Sequence, residues 1–159
     1  MTRRVLFVCT GNVFRSLTAE FALRAALGHR ADIAIASAGT EDRAVRIPPE
    51  VSEYLAQRRF DVGAHRRRTL TREILDSAHL AIAMSLDHRD FIRANFGRSV
   101  PVFLECCGGA AEALLDLEEA VSDYRTNRAA SLAHIRGTID RIIELTPHLA
   151  ARIDTLFEG

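Results

Sequence analysis

Four short apolar runs, each bounded by turn-forming or polar residues, predict strands over Arg4–Val8, Asp32–Ala36, His79–Met84 and Val100–Leu104. The segments between them carry a helical period. Ser16–Leu27 places Ala19, Leu23, Ala26 and Leu27 on one face, and Pro49–Arg58 opens after a proline pair and turns Val51, Tyr54 and Leu55 inward. Leu86–Phe96 is amphipathic, and Arg128–Leu145 carries a stripe of Leu132, Ile135, Ile139, Ile142 and Ile143. Beyond Thr146-Pro147 the chain predicts a further helical segment that packs through Leu149, Ile153, Leu156 and Phe157. Strands alternating with helices imply an α/β fold, a parallel sheet covered on both faces. The 159 residues show no internal repeat and no linker, so one domain over 1–159 is expected. In such sheets ligands bind beyond the carboxyl ends of the strands.

The first strand ends on a chemically distinctive octet, Cys9-Thr10-Gly11-Asn12-Val13-Phe14-Arg15-Ser16. Curled into a ring, the backbone N–H groups of Thr10, Gly11, Asn12, Val13 and Phe14 can point at one phosphate-sized anion. Gly11 and Asn12 are residue types that tolerate the left-handed backbone such a ring needs. Arg15 offers a planar fork that matches two phosphate oxygens. The helix opening at Ser16 adds positive potential at the same place. That field favours the thiolate form of Cys9, which is the nucleophilic form of a cysteine. The Ser16 hydroxyl stands where it could donate to the sulfur and steady it as a leaving group. The spacing C-x5-R-S therefore points to a thiolate attacking a phosphate monoester, with protein donors in place of a metal.

Charge and cysteine content narrow the setting. There are 21 basic and 21 acidic residues, so a nucleic-acid role has no electrostatic support. The arginines lean toward the first half, which carries the octet, and the acids toward the second. The three cysteines, Cys9, Cys106 and Cys107, fit neither a disulfide framework nor a zinc site. Only Val5 to Val8 precede the motif as an apolar run, too short for a signal peptide's core, and no stretch approaches a membrane span. A reducing, cytoplasmic setting without membrane insertion is expected.

The octet, followed by Ala19-Glu20, resembles the low-molecular-weight protein tyrosine phosphatase family. Other landmarks recur in the family's order: Ser37-Ala38-Gly39-Thr40, His65-Arg66-Arg67-Arg68, and Met84 followed by Asp87 and His88. The resemblance covers almost the whole chain. It implies a single-domain three-layer sandwich, with a four-stranded parallel sheet in flavodoxin-like order 2-1-3-4 and helices on both faces. It also implies a hydrolase working through a phosphocysteine intermediate without a cofactor. In that scheme Cys9 attacks phosphorus and Arg15 binds the phosphoryl oxygens, while Ser37 and His65 support the loop through Asn12. An aspartate in a late Asp-Pro loop protonates the leaving group.

The chain departs from the family at three places. No Asp-Pro pair is present; Asp123, just before the last long helix, is the expected acid, with Tyr124 in the proline's place and Asp116 as the fallback. Proline would have stiffened that loop. The aromatic residue that often flanks the phosphotyrosine ring is replaced by Arg43-Ala44, where Arg43 could favour an acidic peptide or a different phosphate ester, or equally be a solvated loop arginine, and Tyr124 could supply the missing wall. Phe14 fills a position where many relatives carry a second cysteine, so Cys9 lacks a nearby protective partner. The expected substrate is a phosphotyrosine-containing protein, a bacterial tyrosine kinase being one carrier by family analogy. The alternatives are an arsenate reductase of the same fold and a non-catalytic relative that binds phosphate or a protein. The sequence leaves the oligomeric state open.

Overall fold

A computed structural model describes residues 1–159. Three parallel strands, β1 (Arg3–Cys9), β2 (Ile33–Gly39) and β3 (Leu80–Ala83), form a sheet in the order β2-β1-β3. Register pairs Cys9 with Gly39 and Val8 with Ala83, so the carboxyl ends of all three strands converge at one edge. The helices are α1 (Arg15–Leu27), α2 (Pro49–Gln57), α3 (Arg72–Ser77), α4 (Leu86–Phe96), α5 (Phe103–Cys106), α6 (Leu117–Ala120) and α7 (Arg128–Glu158). None is long and apolar enough to cross a membrane.

The alternation of β1 builds both cores. Val5, Phe7 and Cys9 face a layer that includes Leu23 of α1 and Ile142, Leu149 and Ile153 of α7. Leu6 and Val8 face the other way, against Leu75 of α3 and Ile92 of α4. A third cluster joins Phe14 and Leu17 to Val51 and Leu55 of α2 and to Ile135 and Ile139 of α7. It anchors the octet to two helices outside the sheet.

Two expectations are corrected. The run Val100–Leu104 does not make a fourth strand. It forms a single parallel bridge, Ala83 with Val102, on the free side of β3. The Ala83 N–H donates to the Pro101 carbonyl (2.9 Å), but Pro101 has no N–H with which to extend the ladder back along β3, and Glu105 Oε1 caps the Val102 N–H (2.7 Å) as α5 begins. The chain then winds into α5 after one rung. The place of the fourth strand survives; its ladder does not. The second correction concerns the C-terminus, where α7 continues through Pro147 as one helix of 31 residues. Burial of Leu149 and Ile153 beyond the proline holds the two halves in line.

Candidate active site

From Cys9 to Asn12 the chain turns its carbonyls outward, and each of these four finds a donor. Cys9 O accepts from the Thr40 N–H (2.9 Å) and Thr10 O from the Glu41 N–H (3.1 Å). Gly11 O accepts from Arg67 Nε (3.0 Å) and Asn12 O from His65 Nε2 (2.8 Å). In a trans peptide the N–H opposes the C=O, so the amides of Thr10, Gly11, Asn12 and Val13 face the other way, into the ring. Asn12 takes the left-handed backbone that the turn requires, with φ of 59°. The first turn of α1 has no side-chain cap, which leaves its amides for an anion.

Gly39 lets β2 come this close. A Cβ on Gly39 would lie 2.6 Å from Thr10 O and 3.2 Å from an Arg67 guanidinium nitrogen. Gly39→Ala should therefore push the loop off β2. It is expected to cost ~1–3 kcal/mol of stability together with a loss of catalytic rate. Thermal melting and aryl phosphate hydrolysis check this, and an unchanged melting temperature would contradict it.

Behind the ring a buried chain fixes proton directions. Ser37 Oγ donates to the Glu20 carboxylate (2.6 Å) and accepts from Asn12 Nδ2 (2.8 Å). Asn12 Nδ2 also donates to Ser16 Oγ (2.9 Å). Ser16 Oγ lies 2.9 Å from Cys9 Sγ, and its one proton is available to the sulfur when Cys9 is a thiolate. Glu20, paired with Arg24 at 2.7 Å, thus orients Ser37 as an acceptor for Asn12, which in turn donates to Ser16. Arg68 joins the same support, its N–H donating to Asn12 Oδ1 (3.2 Å).

Arg15 is 1% exposed. Its Nη1 donates to Leu114 O (2.7 Å), and its Nη2 lies 3.4 Å from both Thr10 Oγ1 and Asp116 Oδ2. Next to it, His88 is buried on α4. The Ser85 N–H donates to His88 Nδ1 (3.1 Å), so the ring proton sits on Nε2 and goes to Thr10 Oγ1 (2.8 Å). Burial lowers the His88 pKa to about 3; Arg15 adds to the lowering and Asp116 opposes it.

The lowered His88 value has a stability consequence. The unfolded chain protonates this histidine more readily than the folded one. Its contribution is therefore fully present above the unfolded pKa of ~6.5 and is lost toward about pH 3, at ~1.4 kcal/mol per pH unit. Denaturant unfolding between about pH 6.5 and 4.5 should show a slope shallower by one proton in His88→Gln. Equal slopes would contradict the buried neutral imidazole.

A cavity of about 640 Å³ opens over the loop. Cys9, Thr10, Gly11, Val13, Phe14, Arg15, Arg43 and Tyr124 line it, while Asn12, Ser16, Ser37 and His65 stand behind the loop. Apolar walls come from Val45, Val51, Leu117, Leu132 and Ile135. Arg43 is ion-paired with Glu41 (2.5 Å) in the cavity wall. Tyr124 accepts from Arg125 Nε (3.1 Å) at the rim.

The two candidate acids are separated. Asp123 is exposed and does not line the cavity; its carboxylate accepts from Asn127 Nδ2 (3.1 Å) and its carbonyl from the Asn127 N–H (2.8 Å). The cause is α6, which takes up the chain after Asp116 and leaves Asp123 on the turn before α7. Asp116 lines the cavity with its side chain 33% exposed. One of its oxygens caps α6 through the Leu117 N–H (2.8 Å) and the other faces Arg15. Its segment is tethered through Leu114 O to Arg15, the Leu114 N–H to Ser85 Oγ (3.0 Å), and Leu115 O to His134 Nε2 (3.1 Å).

Sequence reasoning did not assign roles to Glu20, Arg67, Arg68 or His88. An acid among small and apolar residues of α1 was the available signal for Glu20. The arginines lay within a basic run that reads equally as a solvated loop.

The model of the family described as low molecular weight phosphotyrosine protein phosphatase matches residues 4–156. A protein-arginine-phosphatase from Bacillus subtilis (strain 168) is 34% identical over 97 residues, which is 59% of this chain. The match spans 63% of that relative's own length. A crystal structure of a YwlE mutant from Bacillus subtilis superposes with a TM-score of 0.80 at 26% identity, covering 96% of this chain and 99% of the other. A low molecular weight protein tyrosine phosphatase from T. tengcongensis gives a TM-score of 0.77 at 26% identity, covering 95% and 99%.

Proposed function

The chain belongs to the low molecular weight phosphotyrosine protein phosphatase family, and from that premise we propose that it hydrolyses phosphomonoesters of protein side chains through a phosphocysteine on Cys9. The observation that carries this reading is the convergence of Cys9 Sγ, the inward loop amides and the Arg15 fork on one cavity, with the Ser16 hydroxyl 2.9 Å behind the sulfur.

The reaction runs in two displacements. The Cys9 thiolate attacks phosphorus in line, forming a P–S bond as the ester P–O bond breaks. Arg15 and the loop amides take the charge that spreads over the equatorial oxygens. Asp116 gives a proton to the departing oxygen; its support is its place in the wall of the cavity that Cys9 also lines. Asp116, now a carboxylate, takes a proton from water, which attacks phosphorus and expels the thiolate. The Ser16 hydroxyl eases that departure by donating to sulfur. Inorganic phosphate leaves, and both residues return to their starting states.

Phosphotyrosine is the preferred substrate, because the apolar walls around Val13, Leu117 and Ile135 and the rim ring of Tyr124 suit an aryl group. Phosphoarginine is the second reading. The carboxylates of Glu41, Asp87, Asp116 and Glu118 at the cavity could meet a guanidinium, and one relative is a protein-arginine-phosphatase. Hydrolysis rates for matched peptides carrying phosphotyrosine and phosphoarginine test the assignment. A higher kcat/KM on phosphotyrosine is expected, and the reverse order would transfer the site to arginine.

Arsenate reduction has weaker support. It requires a relay of reactive thiols, yet burial pushes the Cys106 thiol up to about 12 and the Cys107 thiol up to about 11. Both are held in the protonated, unreactive form.

A further inference from the structure

We propose that His88 is a positioning residue that couples the phosphate cradle to the acid-bearing segment, by holding the Thr10 hydroxyl between its own ring and Arg15. The inference rests on the phosphatase reading of the site and adds a residue outside the octet to it.

The hydrogen bonds close a ring. The Ser85 N–H donates to His88 Nδ1, and His88 Nε2 donates to Thr10 Oγ1. Arg15 Nη2 reaches the same Thr10 oxygen, and Arg15 Nη1 donates to Leu114 O. The Leu114 N–H returns to Ser85 Oγ. Three parts of the site meet in that circuit: the cradle through Thr10 and Arg15, the segment leading to Asp116 through Leu114, and the start of α4 through Ser85 and His88.

Donor accounting gives the ring a direction. The Ser85 N–H can only donate, so His88 Nδ1 must accept and Nε2 must carry the proton. Thr10 Oγ1 then accepts from both His88 and Arg15, which uses its two lone pairs. Its own proton is left for an occupant of the cavity that Thr10 lines. His88 is 1% exposed and its pKa is lowered to about 3 by burial, so the donor persists across the working pH range. Because the N–H and the C=O of Leu114 both lie in the ring, loosening His88 shifts Arg15 and the Asp116 segment together. In a buried network of this kind the members act as a unit.

Three variants separate positioning from simple packing. His88→Gln forms a Ser-x-x-Gln capping box with Ser85 and offers its amide N–H to Thr10, so both bonds are kept. His88→Leu removes both. Thr10→Val cuts the same link from the other end and leaves the α4 cap intact. Two quantities are measured: kcat on para-nitrophenyl phosphate, and the Kd for inorganic phosphate by calorimetry. His88→Leu and Thr10→Val should each lower kcat and weaken phosphate binding by roughly tenfold, and the double variant should be no worse than the more damaged single one. His88→Gln should stay within about threefold of wild type.

Wild-type values in Thr10→Val, losses that multiply in the double variant, or a His88→Gln as impaired as His88→Leu would each overturn the proposal. If His88→Leu does not fold, Thr10→Val and His88→Gln carry the same comparison. The phosphate Kd does not depend on turnover. A wild type without phosphatase activity would therefore sink the functional reading, while the coupling would still stand or fall on binding. Nitrogen-15 shifts of the ring give a further check: a neutral Nε2–H tautomer from about pH 5 to 8 is expected, and an imidazolium or Nδ1–H form overturns it.

Discussion

Cys9→Ser should lower kcat on aryl phosphates by roughly 10⁵-fold or more while leaving inorganic phosphate binding within a few-fold of wild type. The reason lies in the division of labour in the loop. Anion binding comes from the inward amides and Arg15, none of which the substitution touches. Attack and departure come from sulfur alone. A serine hydroxyl stays protonated where a thiol ionises, and it is a poor leaving group from phosphorus even with the Ser16 hydroxyl beside it at 2.9 Å in the parent. Steady-state hydrolysis and phosphate calorimetry on the same preparation separate the two effects. A variant that retained one hundredth or more of the wild-type rate would remove Cys9 from the reaction.

The second large effect is expected at Asp116. Asp116→Asn should lower kcat by roughly 10²–10⁴-fold on a phosphotyrosine peptide and by much less on para-nitrophenyl phosphate. A phenolate with a high pKa needs the proton at the transition state, whereas para-nitrophenolate leaves almost unaided. Asparagine keeps the shape, and its side-chain oxygen can still accept the Leu117 N–H that caps α6, so the loss reports on the proton rather than on folding. Asp123→Asn serves as the comparison. Its carboxylate is exposed and engaged with Asn127, so kcat should stay within about twofold on both substrates. A large, leaving-group-dependent loss in Asp123→Asn with none in Asp116→Asn would reverse the assignment.

The acid shows where the sequence stops being legible. Neither Asp116 nor Asp123 is followed by proline; Leu117 and Tyr124 stand there instead. Both lie between the sheet and α7, so nearness to the last helix favoured Asp123. The four residues of α6 leave Asp116 at the cavity and carry Asp123 outward, and that placement is what favours Asp116 as the proposed acid. Helices of four to six residues, such as α3, α5 and α6, hold too few turns for periodicity to register. Val100–Leu104 failed for a related reason. A short apolar run looks the same as a buried strand or a buried turn of helix, and here Pro101 and the Glu105 cap selected the helix.

Other parts were readable because local chemistry dictated them. The octet, the strand before it and the helix after it follow from residue types that permit few alternatives at that spacing. The roles of Glu20 and His88 were hidden because each acts through a second residue, Ser37 for one and Thr10 for the other. Their side chains meet the loop only after the sheet and α4 are assembled. Arg67 reads as solvated until its two donors are seen on Gly11 O and Glu41 O.

The most direct test of the central claim is to quench the reduced enzyme in acid during turnover of an aryl phosphate and map the phosphoryl group by mass spectrometry. The account predicts one phosphoryl group on the peptide that carries Cys9, accumulating further in Asp116→Asn, where water is activated poorly. Turnover without a phosphorylated Cys9, or a phosphoryl group carried on another residue, would contradict it.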